Sequence, residues 1–143
     1  MQLPDMTAES LAEIRKNAPD WMNVANPLDL GPSGLFPLAM KLAMTDPNID
    51  AVITMPIIPW RALKPLLDGD PEAAGKELFI DPALIDRAAE RTLLIFLIGH
   101  ADWMKNVKRF FGPNAPVMST PQNAARALAA MCKYREWREA QDG

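Results

Sequence analysis

Two runs, Ala51–Ile58 and Thr92–Ile98, are rich in β-branched and apolar residues with no polar alternation. A strand that is apolar at successive positions is buried on both faces, and that is the mark of a parallel sheet covered by helices. The segments between and around the runs are helical in pattern or broken by proline and glycine. Alternating strands and helices call for an α/β fold with crossover connections. The expectation is a small parallel sheet of about four strands flanked by helices, a flavodoxin-like or Rossmann-like three-layer sandwich.

The elements follow from their caps. Thr7 can cap a helix over Thr7–Asn17, with Glu9 near its positive end and Leu11 and Ile14 on one face; Pro19 ends it. Met22–Ala25 reads as a short extended piece, and Asn26–Gly34 as loop. Leu35–Thr45 reads as a second helix, apolar nearly all round, with Pro37 confined to its first turn. A helix apolar on every face is buried in its own fold or covered by a partner, so a sticky surface around Phe36 and Met40 is expected. Asp46-Pro47-Asn48 is a turn. Pro82 starts a helix capped by Asp81 and running to about Arg91. Asp102–Phe111 carries Trp103, Met104, Val107, Phe110 and Phe111 on one helical stripe. Pro116–Met118 is a short edge strand. Ser119 or Thr120 caps a last helix reaching about Glu139, with Ala124, Leu128, Met131 and Tyr134 inward.

Composition removes several classes. The 143 residues suit one domain. A net charge of -3 disfavours nucleic-acid binding by bulk charge. One cysteine, Cys132, and one histidine, His100, exclude disulfide frameworks and zinc sites built from those residues; no metal is expected. The longest strongly apolar run, Leu93–Ile98, is far shorter than the roughly 20 residues of a membrane helix. No secretory leader is evident, so a cytoplasmic location is expected.

In open α/β sheets, ligands bind beyond the carboxyl ends of the strands. The loops 26–34, 56–60, 99–102 and 119–122 should meet there. Gly31-Pro32-Ser33-Gly34 is the strongest candidate, because its amides, the Ser33 hydroxyl and the dipole of the next helix could hold a phosphate. It matches neither GxGxxG nor the GxxxxGK phosphate loop, and it could be a plain strand-to-helix turn. His100 sits two residues before Asp102 and could accept a phosphoryl group or act as a base; it could also be a polar loop histidine. Asp29 and Asp50 could be site carboxylates or turn formers. Cys132 has no neighbour to activate it and reads as a buried inert thiol. A phosphoacceptor receiver domain is excluded, since no Lys follows Ser119-Thr120-Pro121.

The order of several short motifs resembles a flavodoxin-like domain of the NDP-forming acyl-coenzyme A synthetases, relatives of succinyl-CoA synthetase. They are Leu3-Pro4, then Asn26-Pro27-Leu28-Asp29-Leu30-Gly31, then Asp46-Pro47-Asn48-Ile49-Asp50-Ala51-Val52. Pro116-Val117 leads into Ser119-Thr120-Pro121 and an Ala-rich helix from Ala124 to Met131, and Tyr134-Arg135-Glu136-Trp137 closes the series. The resemblance covers nearly the whole chain. It implies one domain of a larger multidomain ligase that joins a carboxylic acid to coenzyme A at the expense of ATP or GTP with Mg. The reaction passes through an acyl phosphate and a phosphohistidine carried by a sister domain. This domain would face that phosphoryl group with Gly31, Ser33 and Gly34, supported by Asn26 and Asp29, and would bind no cofactor alone. Its partners would be the phosphohistidine and nucleotide-grasp domains, with a homo-oligomer possible, and the isolated chain should not turn over. Gly99-His100-Ala101 echoes the phosphohistidine motif but lacks its following glycine, so that role is not carried over to His100. The alternative is a non-catalytic flavodoxin-like module that docks a partner through its apolar second helix.

Overall fold

Thr7 closes the first helix in the expected way. The Ser10 N–H donates to its hydroxyl oxygen at 3.3 Å, and α1 spans Ala8–Asn17. In the computed structural model the described residues are 2–31, 33–56, 64–65, 68, 70, 90–97, 104–105, 108–109, 111 and 113–142. The expected helices from Asp81 and over Asp102–Phe111 lie largely outside them, as does His100.

The second helix, α2, spans Phe36–Thr45 with Pro37 in its first turn, where the missing N–H disturbs no intrahelical bond. Three strands follow: β1 (Ala51–Thr54), β2 (Thr92–Phe96) and β3 (Val117–Met118). The last helix, α3, spans Pro121–Asp142. Thr120 is its cap, accepting the Asn123 N–H at 3.1 Å.

The sheet is open and parallel, in the order β1-β2-β3. Ala51 pairs with Thr92 and Thr54 with Ile95, while Ile95 pairs with Val117 and Phe96 with Met118. Among the described residues the strands number three, not about four. The expected extra piece, Met22–Ala25, is extended but joins no ladder. It is placed by side chains instead: Met22 and Val24 bury into one cluster with Met6, Ile14, Ala39 and Ile49.

Burial grades across the sheet. Leu93, Leu94 and Ile95 of the central strand are at most 2% exposed. In β1, a sheet edge, Ile53 is 42% exposed and Met55 just beyond it 54%. Full burial of the first strand on both faces is therefore corrected: among the described residues it pairs with a strand on one side only, and the face that carries Ile53 and Met55 is open. Phe111 is in the core as expected, at 1% exposure.

Helix α2 packs on α1 and β1, and α3 packs on β2 and β3. Ala39, Met40 and Met44 are buried, so α2 is covered by its own domain and Met40 offers no sticky surface. The last helix corrects a second expectation. Ala124 is fully buried, but Met131 and Tyr134 are exposed. Ala124, Leu128 and Cys132 lie four residues apart and form the inward row. The next positions on that side, Arg135, Glu136 and Glu139, are charged. The inward row runs out of apolar residues, and the helix leaves the sheet as an exposed arm. Cys132 is half-buried at the point of departure, not fully buried.

Candidate functional site

The loop from Asn26 to Gly34 opens α2 with three local hydrogen bonds. The Gly31 N–H donates to Asp29 Oδ1 at 3.1 Å. The Ser33 N–H donates to the Leu30 carbonyl at 3.1 Å. The Leu35 N–H donates to Ser33 Oγ at 3.3 Å. Gly31 and Gly34 take φ of 45° and 74°, the left-handed region that favours glycine. Gly31, Ser33, Gly34 and Asp29 thus come together at the α2 N-terminus. Asn26 stands apart from them: its side-chain amide donates to the Pro4 carbonyl at 2.6 Å and ties the loop to the chain's first residues. The Asn26–Pro27 peptide is cis.

The turn Asp46–Asp50 leads α2 directly into β1, so α2 runs back along the strand. Its N-terminus is carried toward the carboxyl end of the sheet, where ligands of open α/β folds bind. With the Leu35 N–H engaged and Pro37 lacking one, the first-turn donors left for an external acceptor are Phe36 and Leu38. The Ser33 hydroxyl, an acceptor from Leu35, keeps its own proton to donate. This donor set, with the positive helix end behind it, is suited to an anion. A Cβ at Gly34 would meet nothing within 4 Å, so the loop is open there.

Sequence reasoning missed the other wall of this loop. A Cβ on Gly31 would lie 2.9 Å from Cη2 of Trp21. The indole therefore sits against the Gly31 backbone while remaining 60% exposed. Ten residues separate the two, and no local pattern relates them. Of the remaining candidates, Asp50 is exposed. The open groove between α1 and α2, about 420 Å³ and lined by Glu9, Glu13, Lys16 and Leu42, contains none of the candidate residues.

A second polar cluster is structural. The Asp46 carboxylate accepts the Thr7 N–H and hydroxyl at 2.9 and 2.8 Å and the Asn48 N–H at 2.9 Å. Its carbonyl accepts the Arg91 guanidinium and the Ile49 N–H. Burial alone would push this carboxyl up, but hydrogen bonds from Ser10, Asn48 and Thr7 outweigh it and hold the group down at about 2. One side chain thus fastens the start of α1 to the α2–β1 turn and, through its backbone, to the residue before β2.

No protein-family model, curated protein or solved structure matches the chain. Among the described residues no helix is long and apolar enough to cross a membrane, and no three His, Cys, Asp or Glu side chains group as metal ligands.

Proposed function

We propose that this chain is the phosphoryl-facing, flavodoxin-like domain of an NDP-forming acid–coenzyme A ligase. The observation that carries the reading is the α2 N-terminus: two left-handed glycines, Gly31 and Gly34, lead the loop into a helix end that is open at Gly34, with Ser33 bonded to the Leu35 N–H just before the first-turn amides of Phe36 and Leu38. The motif order from Asn26-Pro27 to Trp137 and the parallel α/β sheet support it. Coenzyme A, the nucleotide and the acid would be handled by the sister domains.

In this reading the domain performs electrostatic work. A phosphoryl group carried on a partner histidine spreads negative charge over three oxygens, and fixed amide donors at a helix end stabilise that charge without reorganising. Ser33 donates its proton to one oxygen. Asp29 does not touch the phosphoryl group; it holds the Gly31 N–H and so sets the course of the loop. The rival reading, docking through α2, has less support because Ala39, Met40 and Met44 are already buried in this domain.

The test compares Gly34→Asp with Gly34→Asn in the complete enzyme. Both side chains tolerate a positive φ better than most, and both enter the same open space, so they differ mainly in charge. Acid-dependent and coenzyme-A-dependent NDP release should fall by about 100-fold or more in the Asp variant, the scale of losing a preorganised oxyanion contact. The Asn variant should stay within a few-fold of wild type. Equal turnover in the two variants would remove the phosphoryl role.

A further inference from the structure

Among the described residues, three of the large apolar side chains left exposed lie on one helix, α3. Met131, Tyr134 and Trp137 are 47%, 60% and 58% exposed, and the two rings stack with centroids 5.8 Å apart. Ala127, Ala130, Tyr134 and Trp137 follow one another at spacings of three, four and three residues. That is the a/d alternation by which one helix lays a seam against another. The seam runs along about 15 Å of the helix, about three turns. Leu128 and Cys132, of the inward row, take the b and f positions opposite it, so from Ala127 onward the seam faces away from the sheet.

The charges beside the seam have one sign. In the same register Arg126 and Lys133 take g and Arg138 takes e, and all three are exposed. None of the three makes an ion pair among the described residues. The acids lie away from the seam. Glu136 takes c and Glu139 takes f, and Glu139 is paired with Arg135 at 3.7 Å on that outer side. In a helix pair the e and g charges face each other across the seam and so choose the partner. Basic e and g positions call for acidic ones opposite.

We infer that α3 docks an acidic amphipathic helix of a different protein. The partner lays an apolar row at i, i+3 or i+4, and i+7 along Ala127, Ala130, Tyr134 and Trp137. Its Glu or Asp residues beside that row stand opposite Arg126, Lys133 and Arg138. The two alanines let the helices approach closely at the base of the arm. The stacked rings and Arg138 are of the residue types that dominate interface energies. A second copy does not suit the seam, because two α3 helices, parallel or antiparallel, set basic e and g positions against basic ones. An anionic bilayer matches the charge of the stripe but not that of the chain, which is -3 overall. The docking does not depend on the phosphoryl reading.

The test titrates the isotope-labelled 143-residue chain with two synthetic helical peptides of about three heptads. Both carry Leu at a and d; one has Glu at every e and g, the other Lys. The Glu peptide should give saturable amide shifts along 126–138 with a Kd of about 100 μM or tighter, and the Lys peptide should bind about tenfold more weakly or worse. Raising salt about tenfold should weaken the Glu peptide several-fold, because the charges are exposed. Tyr134→Ala with Trp137→Ala should weaken it about tenfold or more while the circular dichroism spectrum is kept. Lys133→Glu with Arg138→Glu leaves the rings in place and should reverse the preference, so that the Lys peptide binds the tighter of the two. No shift along α3 at about 1 mM Glu peptide would overturn the docking. So would equal binding of the two peptides by wild type, or a preference that the charge reversal leaves unchanged. A dimer, or binding to phosphatidylserine vesicles, that Tyr134→Ala with Trp137→Ala abolishes would put a second copy or a bilayer on the seam and overturn it as well.

Discussion

Thr7 donates both its backbone N–H and its hydroxyl to one oxygen, Oδ2, of Asp46, across 39 residues of sequence. The same Thr7 oxygen accepts the Ser10 N–H and caps α1. A helix cap and a distant turn are thereby one unit: the residue that starts α1 is oriented by the residue that ends α2.

Asp46 should therefore govern acid stability. Its carboxyl is lowered from 3.8 to about 2, so the charged form is favoured by folding. For a depressed carboxyl the contribution is complete above the unfolded value and is lost as pH falls through the folded one. Stability should be level in Asp46 terms above about pH 5 and decline from pH 4 toward pH 2. Asp46→Ala should cost about 2–3 kcal/mol at neutral pH, since several buried donors lose their acceptor together. Asp46→Asn should flatten the decline between pH 4 and 2. Urea unfolding across this range checks it; an unchanged acid slope in the Asn variant would contradict the assignment.

The two left-handed glycines should respond differently to alanine. Gly34→Ala meets open space and should cost about 1 kcal/mol, the conformational term alone. Gly31→Ala adds a contact with the Trp21 ring and should cost more, about 1–2 kcal/mol. Trp21 is exposed enough to swing aside, so in a Trp21→Ala background the excess should vanish and the conformational part remain. Chemical denaturation of the four variants measures it.

The sheet should be most sensitive at its centre. Ile95 is fully buried in β2, and Ile95→Ala should cost about 3–4 kcal/mol. Ile53 on β1 is 42% exposed, and Ile53→Ala should cost about 1 kcal/mol or less. Equal losses would mean that the first strand is as enclosed as the second.

The two ends of α3 should differ in what they contribute to stability. Ala124→Leu, at a fully buried position against the sheet, should cost about 1–3 kcal/mol by overpacking. Tyr134→Ala should change folding stability by no more than about 0.5 kcal/mol. Thermal melts of the two variants check it, and equal losses would mean that the end of α3 is packed as closely as its start.

These residues also show what local sequence can carry. Thr7, Pro37 and Pro121 mark helix starts, and the bounds of α1 and α2 agree to within a residue because capping is a short-range property. The parallel pairing of β1 and β2 was likewise legible from the apolar runs. Four features were not. Met22–Ala25 has strand-like residues, but a ladder needs a neighbour that composition does not supply. Asp46 reads as a turn former, which it is, yet its second role depends on Thr7. Met131 lies two turns after Ala124 on the same side, yet it is exposed, because the helix has passed the sheet by then, and only the charged residues at 135, 136 and 139 reveal that the inward row ends. At the loop, the glycines were legible as a helix entry, whereas Trp21 against Gly31 was not, being a contact between segments ten residues apart.

The most direct measurement is an amide chemical-shift titration of the chain with phosphohistidine. The account predicts saturable shifts at Phe36, Leu38 and Ser33, abolished by Gly34→Asp and retained by Gly34→Asn. Shifts centred elsewhere, or an identical response in the Asp variant, would contradict a phosphoryl-facing α2 N-terminus.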